Sequence, residues 1–69
     1  MTPKALYSKF TTIFGYLSAN VVSYKEINND PHSIRITMNT GTIYIFTYPS
    51  NGRYSLVVEK VGSYKKENE

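Results

Sequence analysis

Glu26, Asp30 and His32 are the residues whose types could support acid–base chemistry, because carboxylates and an imidazole exchange protons readily. Such catalysis needs two groups held close together with separated pKa values. These three residues run from the end of a predicted strand into the loop "NNDPHS", so we interpret them as solvated polar residues. The chain also lacks a G-x-S-x-G, a phosphate-binding loop and an H-E-x-x-H. The sequence therefore predicts no enzyme and no catalytic residue.

Metal and cofactor binding are not expected either. The chain has no cysteine and one histidine, so a thiolate site is excluded, and His32 would need several carboxylates to hold zinc. We predict no disulfide, no metal and no cofactor. Very small domains are usually stabilised by disulfides or a metal site. Because neither is predicted here, burial of apolar surface against a partner or a second copy is the remaining source of added stability.

The stretch "TGTIYIFTYPSNGRY" suggests a binding surface. Its aromatic residues Tyr44, Phe46 and Tyr48 alternate with isoleucines, so both sides of the predicted strand are apolar. Tyrosine offers a large contact area and is enriched at protein interfaces. We therefore predict a protein-binding set made of Arg35, Tyr44, Phe46 and Tyr48, which serves either a protein partner or self-association.

Two other interpretations of this aromatic row stay open. Aromatic rings can stack single-stranded bases while nearby cations hold the phosphates, and that nucleic-acid alternative uses Arg35, Tyr44, Phe46 and Arg53. Tyrosine is also a common strand residue that half-buries in many sheets, so the row could be structural. The net charge of +3 permits nucleic-acid contact, but the chain lacks the clustered basic stripe of a dedicated DNA binder.

One helix is predicted over residues 2–20. Thr2 can cap its N-terminus and Pro3 suits the first helical position. An apolar stripe with helical spacing follows, formed by Leu6, Phe10, Ile13 and Leu17. Gly15 is expected to weaken the last turns and to let a strand approach closely.

After the helix the apolar period changes from 3.6 to 2, which predicts four strands. They cover residues 21–27, 34–39, 42–48 and 53–61, with a loop over 28–33. Two-residue hairpin loops at Thr40-Gly41 and at Asn51-Gly52 would set the register. A second loop of four residues, over 49–52, would keep every side chain on the same face, whereas a three-residue loop or a bulge there would turn the fourth strand over.

These loops predict how side chains divide between the two sheet faces. The face toward the helix is predicted to hold Ile34, Ile36, Met38, Ile43, Ile45, Leu56 and Val58. The other face is predicted to hold Arg35, Thr37, Tyr44, Phe46, Tyr48, Ser55, Val57 and Glu59. Because one helix covers only one face, the aromatic face must meet solvent, curl inward or bind another molecule.

The fold class that follows is α+β, with one N-terminal helix packed on a four-stranded, mostly antiparallel β-meander. Sixty-nine residues make one domain, to which we assign residues 1–62, with a polar C-terminal tail over 63–69. No secretory signal and no apolar run of about 20 residues is recognisable. We therefore expect a cytoplasmic protein that does not enter a membrane.

The predicted function is that of a small, non-enzymatic protein-binding module. Lys, Asn, Ile and Tyr are abundant and Arg is scarce, a bias typical of AT-rich coding sequences and so of a low-GC bacterium, its phages or its mobile elements. A small accessory protein of that origin would suit inhibition of a host enzyme or defence complex, as anti-CRISPR proteins do. The alternative is a small nucleic-acid-binding or regulatory protein.

Overall fold

The computed structural model describes residues 2–62, so the predicted tail over 63–69 lies outside the described residues. The elements are two helices followed by four strands: α1 Pro3–Ile13, α2 Gly15–Ser18, β1 Val21–Ile27, β2 Asp30–Met38, β3 Ile43–Thr47 and β4 Ser55–Lys60. All neighbouring strands are antiparallel and lie in the order β1-β2-β3-β4. The predicted α+β class with an antiparallel meander is confirmed.

The start of α1 follows the predicted cap, but the helix ends early. Thr2 Oγ1 accepts the Ala5 N–H at 3.1 Å and Pro3 is the first helical residue. Phe14 leaves helical geometry, with φ −118° and ψ 49°, and α2 then begins at Gly15. A single helix over 2–20 was therefore wrong. Glycine has little helical propensity, and the break at this position directs the Phe14 ring onto the sheet. Neither described helix is long and apolar enough to cross a membrane.

The hairpin between β1 and β2 is tighter than the predicted loop over 28–33. Ile27 pairs with Asp30 across a two-residue turn, and β2 begins at Asp30. Asn29 adopts φ 64°, a left-handed conformation that asparagine tolerates better than most residues. The turn therefore closes early, and a register shift between Glu26 and Ile27 takes up the extra residues of β2.

The hairpin between β2 and β3 turns β3 over relative to the prediction. Met38 pairs with Thr42 across the three-residue loop 39–41, which is one residue longer than expected, and Gly41 in that loop has φ 90°. Ile36 then pairs with Tyr44, and Ile34 with Phe46. The aromatic residues of β3 therefore share the face of the buried isoleucines of β2, and placing them on the opposite face was wrong.

A second one-residue shift restores β4 to its predicted orientation. Thr47 pairs with Ser55 across the loop 48–54, so neither the two-residue nor the four-residue loop was correct. Phe46 now pairs with Leu56, and Tyr44 with Val58. The even-numbered residues of β4 therefore lie on the helix side as predicted, because the two register errors cancel.

The core lies between α1 and the two central strands of the sheet, β2 and β3. It consists of Leu6, Phe10, Ile34, Ile36, Met38 and Phe46. Phe10 from the predicted helix stripe and Ile36 from the predicted helix-facing side are both buried in it, whereas the placement of Ile45 on that side was wrong, because Phe46 occupies the core position on β3. Helix α1 packs on β1 and β2, so β4 lies at the margin of the helical cover.

Candidate protein-binding site

The predicted aromatic row does not form an open binding face. Phe46 is fully buried (0% exposed), and its ring meets that of Phe10 edge-on at a centroid distance of 5.6 Å. Tyr44 is half-buried on the same side of the sheet. The expectation that both rings lie opposite the helix is therefore wrong, because the longer β2–β3 loop turns them toward it.

Tyr48 belongs to an aromatic cluster at the edge of the core. Its ring is parallel to that of Tyr54, with centroids 6.0 Å apart and planes 4° apart. Lys9 Nζ lies 5.3 Å from the centre of the Tyr48 ring, an arrangement in which a cation interacts favourably with the ring face. Phe14 meets Tyr54 edge-on at 6.0 Å. The cluster joins the helical break to the β3–β4 loop, where Arg53 is exposed.

Arg35 lies on the opposite face of the sheet from the aromatic residues. Its Nε donates to Glu59 Oε1 at 2.8 Å and its Nη2 donates to Oε2 at 3.0 Å. These hydrogen bonds hold the pKa of the Glu59 carboxyl below its usual value. Because Arg35 and Phe46 are separated in this way, neither the predicted protein-binding set nor the nucleic-acid set forms one surface.

The Arg35–Glu59 pair predicts a small pH dependence of stability. The lowered pKa means that the stabilisation is present above the unfolded-state pKa of about 4.3 and is lost as the pH falls through the folded-state value. The melting temperature of the wild-type protein should therefore be higher than that of Glu59→Gln at neutral pH. The two melting temperatures should converge in acid and in high salt. Glu26→Gln, which removes a carboxylate with no ion pair within residues 2–62, is the control. If the difference in melting temperature between wild type and Glu59→Gln did not change with pH, the Arg35–Glu59 ion pair would not be its source.

Exposed apolar side chains are concentrated on and beside β4. Val57 is 57% exposed and Val58 48% exposed, on opposite faces of this strand. Tyr54 precedes β4 and Val61 follows it, and both are also exposed large hydrophobic residues. Such residues are normally scattered singly over a surface, so their concentration along one strand marks β4 as the candidate site.

The backbone of β3 shows which way the groups of β4 point. Met38 donates its N–H to Thr42 O at 2.8 Å, and Tyr48 donates to His32 O at 2.8 Å. Bonding groups alternate sides along an antiparallel strand, so the even-numbered residues of β3 are bonded to β2. Its odd-numbered residues therefore direct their backbone groups toward β4.

Within residues 2–62, the outer edge of β4 carries backbone groups that pair with no neighbouring strand. Val57 pairs with Ile45 and so turns its N–H and C=O inward. By the same alternation, Leu56 and Val58 turn theirs away from the sheet. Within residues 2–62, β4 has a neighbouring strand on one side alone. Exposed donors and acceptors of this kind are a template for another strand.

The other edge of the sheet is protected. Strand β1 has register shifts at both ends, between Val21 and Ser23 and between Glu26 and Ile27. It also carries Lys25 beside Glu26 in its second half. Bulges and charged side chains are the devices that keep edge strands from pairing. In β4 the charged residues Glu59 and Lys60 and the register shift between Ile43 and Tyr44 lie at one end, whereas residues 55–58 are uncharged and pair regularly with β3.

The acid–base residues considered first lie at the far end of β1 and β2. An open depression there, of about 310 Å³, is lined by Pro3, Leu6, residues 26–31 and Ser33. Asp30 Oδ1 accepts the His32 N–H at 3.1 Å, so its carboxylate shapes the turn. His32 does not line the depression.

The alternation of side chains along the strands did not identify the β4 edge as a candidate site, although the sequence of this strand contains an indication of it. The run "SLVVEKV" is apolar on both faces of its strand, which is unusual for an edge strand that meets water. The predicted meander order places this strand at an edge, and the observed sheet order is the same. Comparison of the chain with protein-family models, curated proteins and solved structures found no match.

Proposed function

We propose that this protein is a non-enzymatic binding module that captures protein through the exposed edge of β4. The observation that carries the proposal is the coincidence, on one strand, of outward backbone groups at Leu56 and Val58 with exposed valines on both faces. In strand addition, main-chain hydrogen bonds supply affinity and alternate side chains supply specificity. The β4 edge offers both.

The rest of the sheet supports this mode of binding. The bidentate Arg35–Glu59 pair ties the outer face of β4 to β2 across the intervening strand. The pairs from Tyr44–Val58 to Thr47–Ser55 hold the inner edge of β4 in continuous register. An incoming strand would therefore meet a template that is already ordered, which lowers the entropy lost on binding.

The proline variant Val58→Pro tests strand addition directly. Proline removes the N–H of residue 58, which points outward, and places its ring where an added strand would lie. Val58→Thr keeps the N–H and the branched shape and is the matched control. Proteins captured by the immobilised wild-type chain are identified by mass spectrometry, and their affinities are then measured by calorimetry with purified components.

We expect Val58→Thr to bind like wild type and Val58→Pro to bind at least about tenfold more weakly, which corresponds to about 1.4 kcal/mol. Circular dichroism should show both variants folded, because the β3–β4 ladder uses the backbone groups of Val57 instead. A folded Val58→Pro variant that keeps wild-type affinity for partners and for itself would contradict binding at the β4 edge.

A further inference from the structure

We infer that the occupant of the β4 edge is a second copy of this chain, paired β4 to β4 in antiparallel orientation about a two-fold axis at Val57. The inference rests on the proposed function, since it names the partner of the same site. The product is one continuous sheet made of two four-stranded sheets. With the axis normal to the sheet, the helices of both copies lie on the same side.

Backbone geometry is compatible with this axis. Leu56 and Val58 direct their N–H and C=O outward, whereas Val57 directs its own toward Ile45. When Val57 faces Val57 of the second copy, Leu56 of each chain faces Val58 of the other. Each such pair exchanges two main-chain hydrogen bonds, so the outward groups of both residues are satisfied.

Side-chain matching selects Val57 over its neighbours as the centre. A two-fold normal to the sheet pairs residues of the same face, so a single residue must sit on the axis. Centred on Val57, the pairing places valine against valine and Leu56 against Val58, apolar against apolar. Centred on Val58, it would place Val57 against Glu59 and Leu56 against Lys60. Centred on Leu56, it would keep few residues within the strand Ser55–Lys60.

The charges near the axis are compatible with self-pairing. In the register centred on Val57, Glu59 faces Ser55 of the second copy and Lys60 faces Tyr54. No like charges are directly opposed, an arrangement that would destabilise a strand pair. The protected edge β1 offers no comparable match, because its register shifts and Lys25 interrupt it.

Introducing a charge at Val57 provides the test, because a residue on a two-fold axis faces the same residue of the second copy. Sedimentation equilibrium of the full chain should give a dimer. Val57→Lys and Val57→Glu, each alone, should weaken association at least tenfold through like-charge repulsion. An equimolar mixture of the two should restore the dimer as a heterodimer, since lysine then faces glutamate. Circular dichroism checks that each variant is folded.

The matched controls are Val22→Lys and Val22→Glu on β1, at a valine that is 66% exposed. Both should leave the dimer unchanged. A wild-type chain that stays monomeric, or Val57 variants that still dimerise, would overturn the inference. Variants that are monomeric both alone and mixed would overturn the axis at Val57. Binding of a different protein that Val58→Pro abolishes would leave the proposed function standing while the second-copy inference fails.

Discussion

Phe46→Ala is expected to lower the free energy of unfolding by about 3–5 kcal/mol, the range for truncating a buried aromatic ring. Phe46 is fully buried and contacts the rings of Phe10 and Phe14, with centroids 5.6 and 6.1 Å away. A chain of this size has little stability to spare. The variant should therefore be largely unfolded at room temperature, as measured by circular dichroism and chemical denaturation.

Ile45→Ala is the matched control for Phe46→Ala. Ile45 is the next residue of the same strand, lies on the face away from α1 and is half-buried. Its truncation removes less buried apolar surface, so we expect a loss of about 1 kcal/mol and a folded chain. If Ile45→Ala unfolded the protein while Phe46→Ala melted like wild type, β3 would face the other way and the three-residue loop would be wrong.

Gly62→Ala is expected to destabilise the protein by about 1–3 kcal/mol, the range for overpacking. A Cβ at this position would lie 2.7 Å from Thr42 N and would overlap the carbonyl of Thr40. Those atoms belong to the backbone of the β2–β3 turn, which cannot move aside as a flexible side chain would. The Gly62 N–H also donates to Thr42 Oγ1 at 2.9 Å, so the end of β4 is attached to this turn.

Gly15→Ala provides the contrast in the same experiment. A Cβ at Gly15 meets no atom within 4 Å, so the expectation that a strand approaches closely there was wrong. The residue begins α2, where alanine should be neutral or stabilise by up to about 1 kcal/mol. The melting temperature of Gly62→Ala should therefore be lower than that of the wild type, and the melting temperature of Gly15→Ala should equal or exceed it. The opposite order would contradict the packing of Gly62 on the turn.

The alternation of residue types along a strand predicted the buried face of β2 but not that of β3. On β2, isoleucines alternate with polar residues, so the buried face could be predicted from Ile34 and Ile36. On β3, isoleucines alternate with aromatic residues, and both faces fit a core equally well by composition. The aromatic residues are the ones that face the helix, because Phe46 fits against the ring of Phe10. The open face holds Ile43 and Ile45 instead.

The sequence by itself determined the helix cap at Thr2, the four strands, their antiparallel order and the faces of β2. These features depend on local chemistry and on the period of apolar residues, which are visible along the chain. The tertiary structure alone decided the orientation of β3 and which residues of β4 turn their backbone groups outward. A single residue in the loop 39–41 reverses every side chain of β3, and the composition of β3 fits a core on either face. The predicted strand order already places β4 at an edge of the sheet, but only the register of β4 on β3 turns the backbone groups of Leu56 and Val58 outward, where residues 2–62 supply no neighbouring strand.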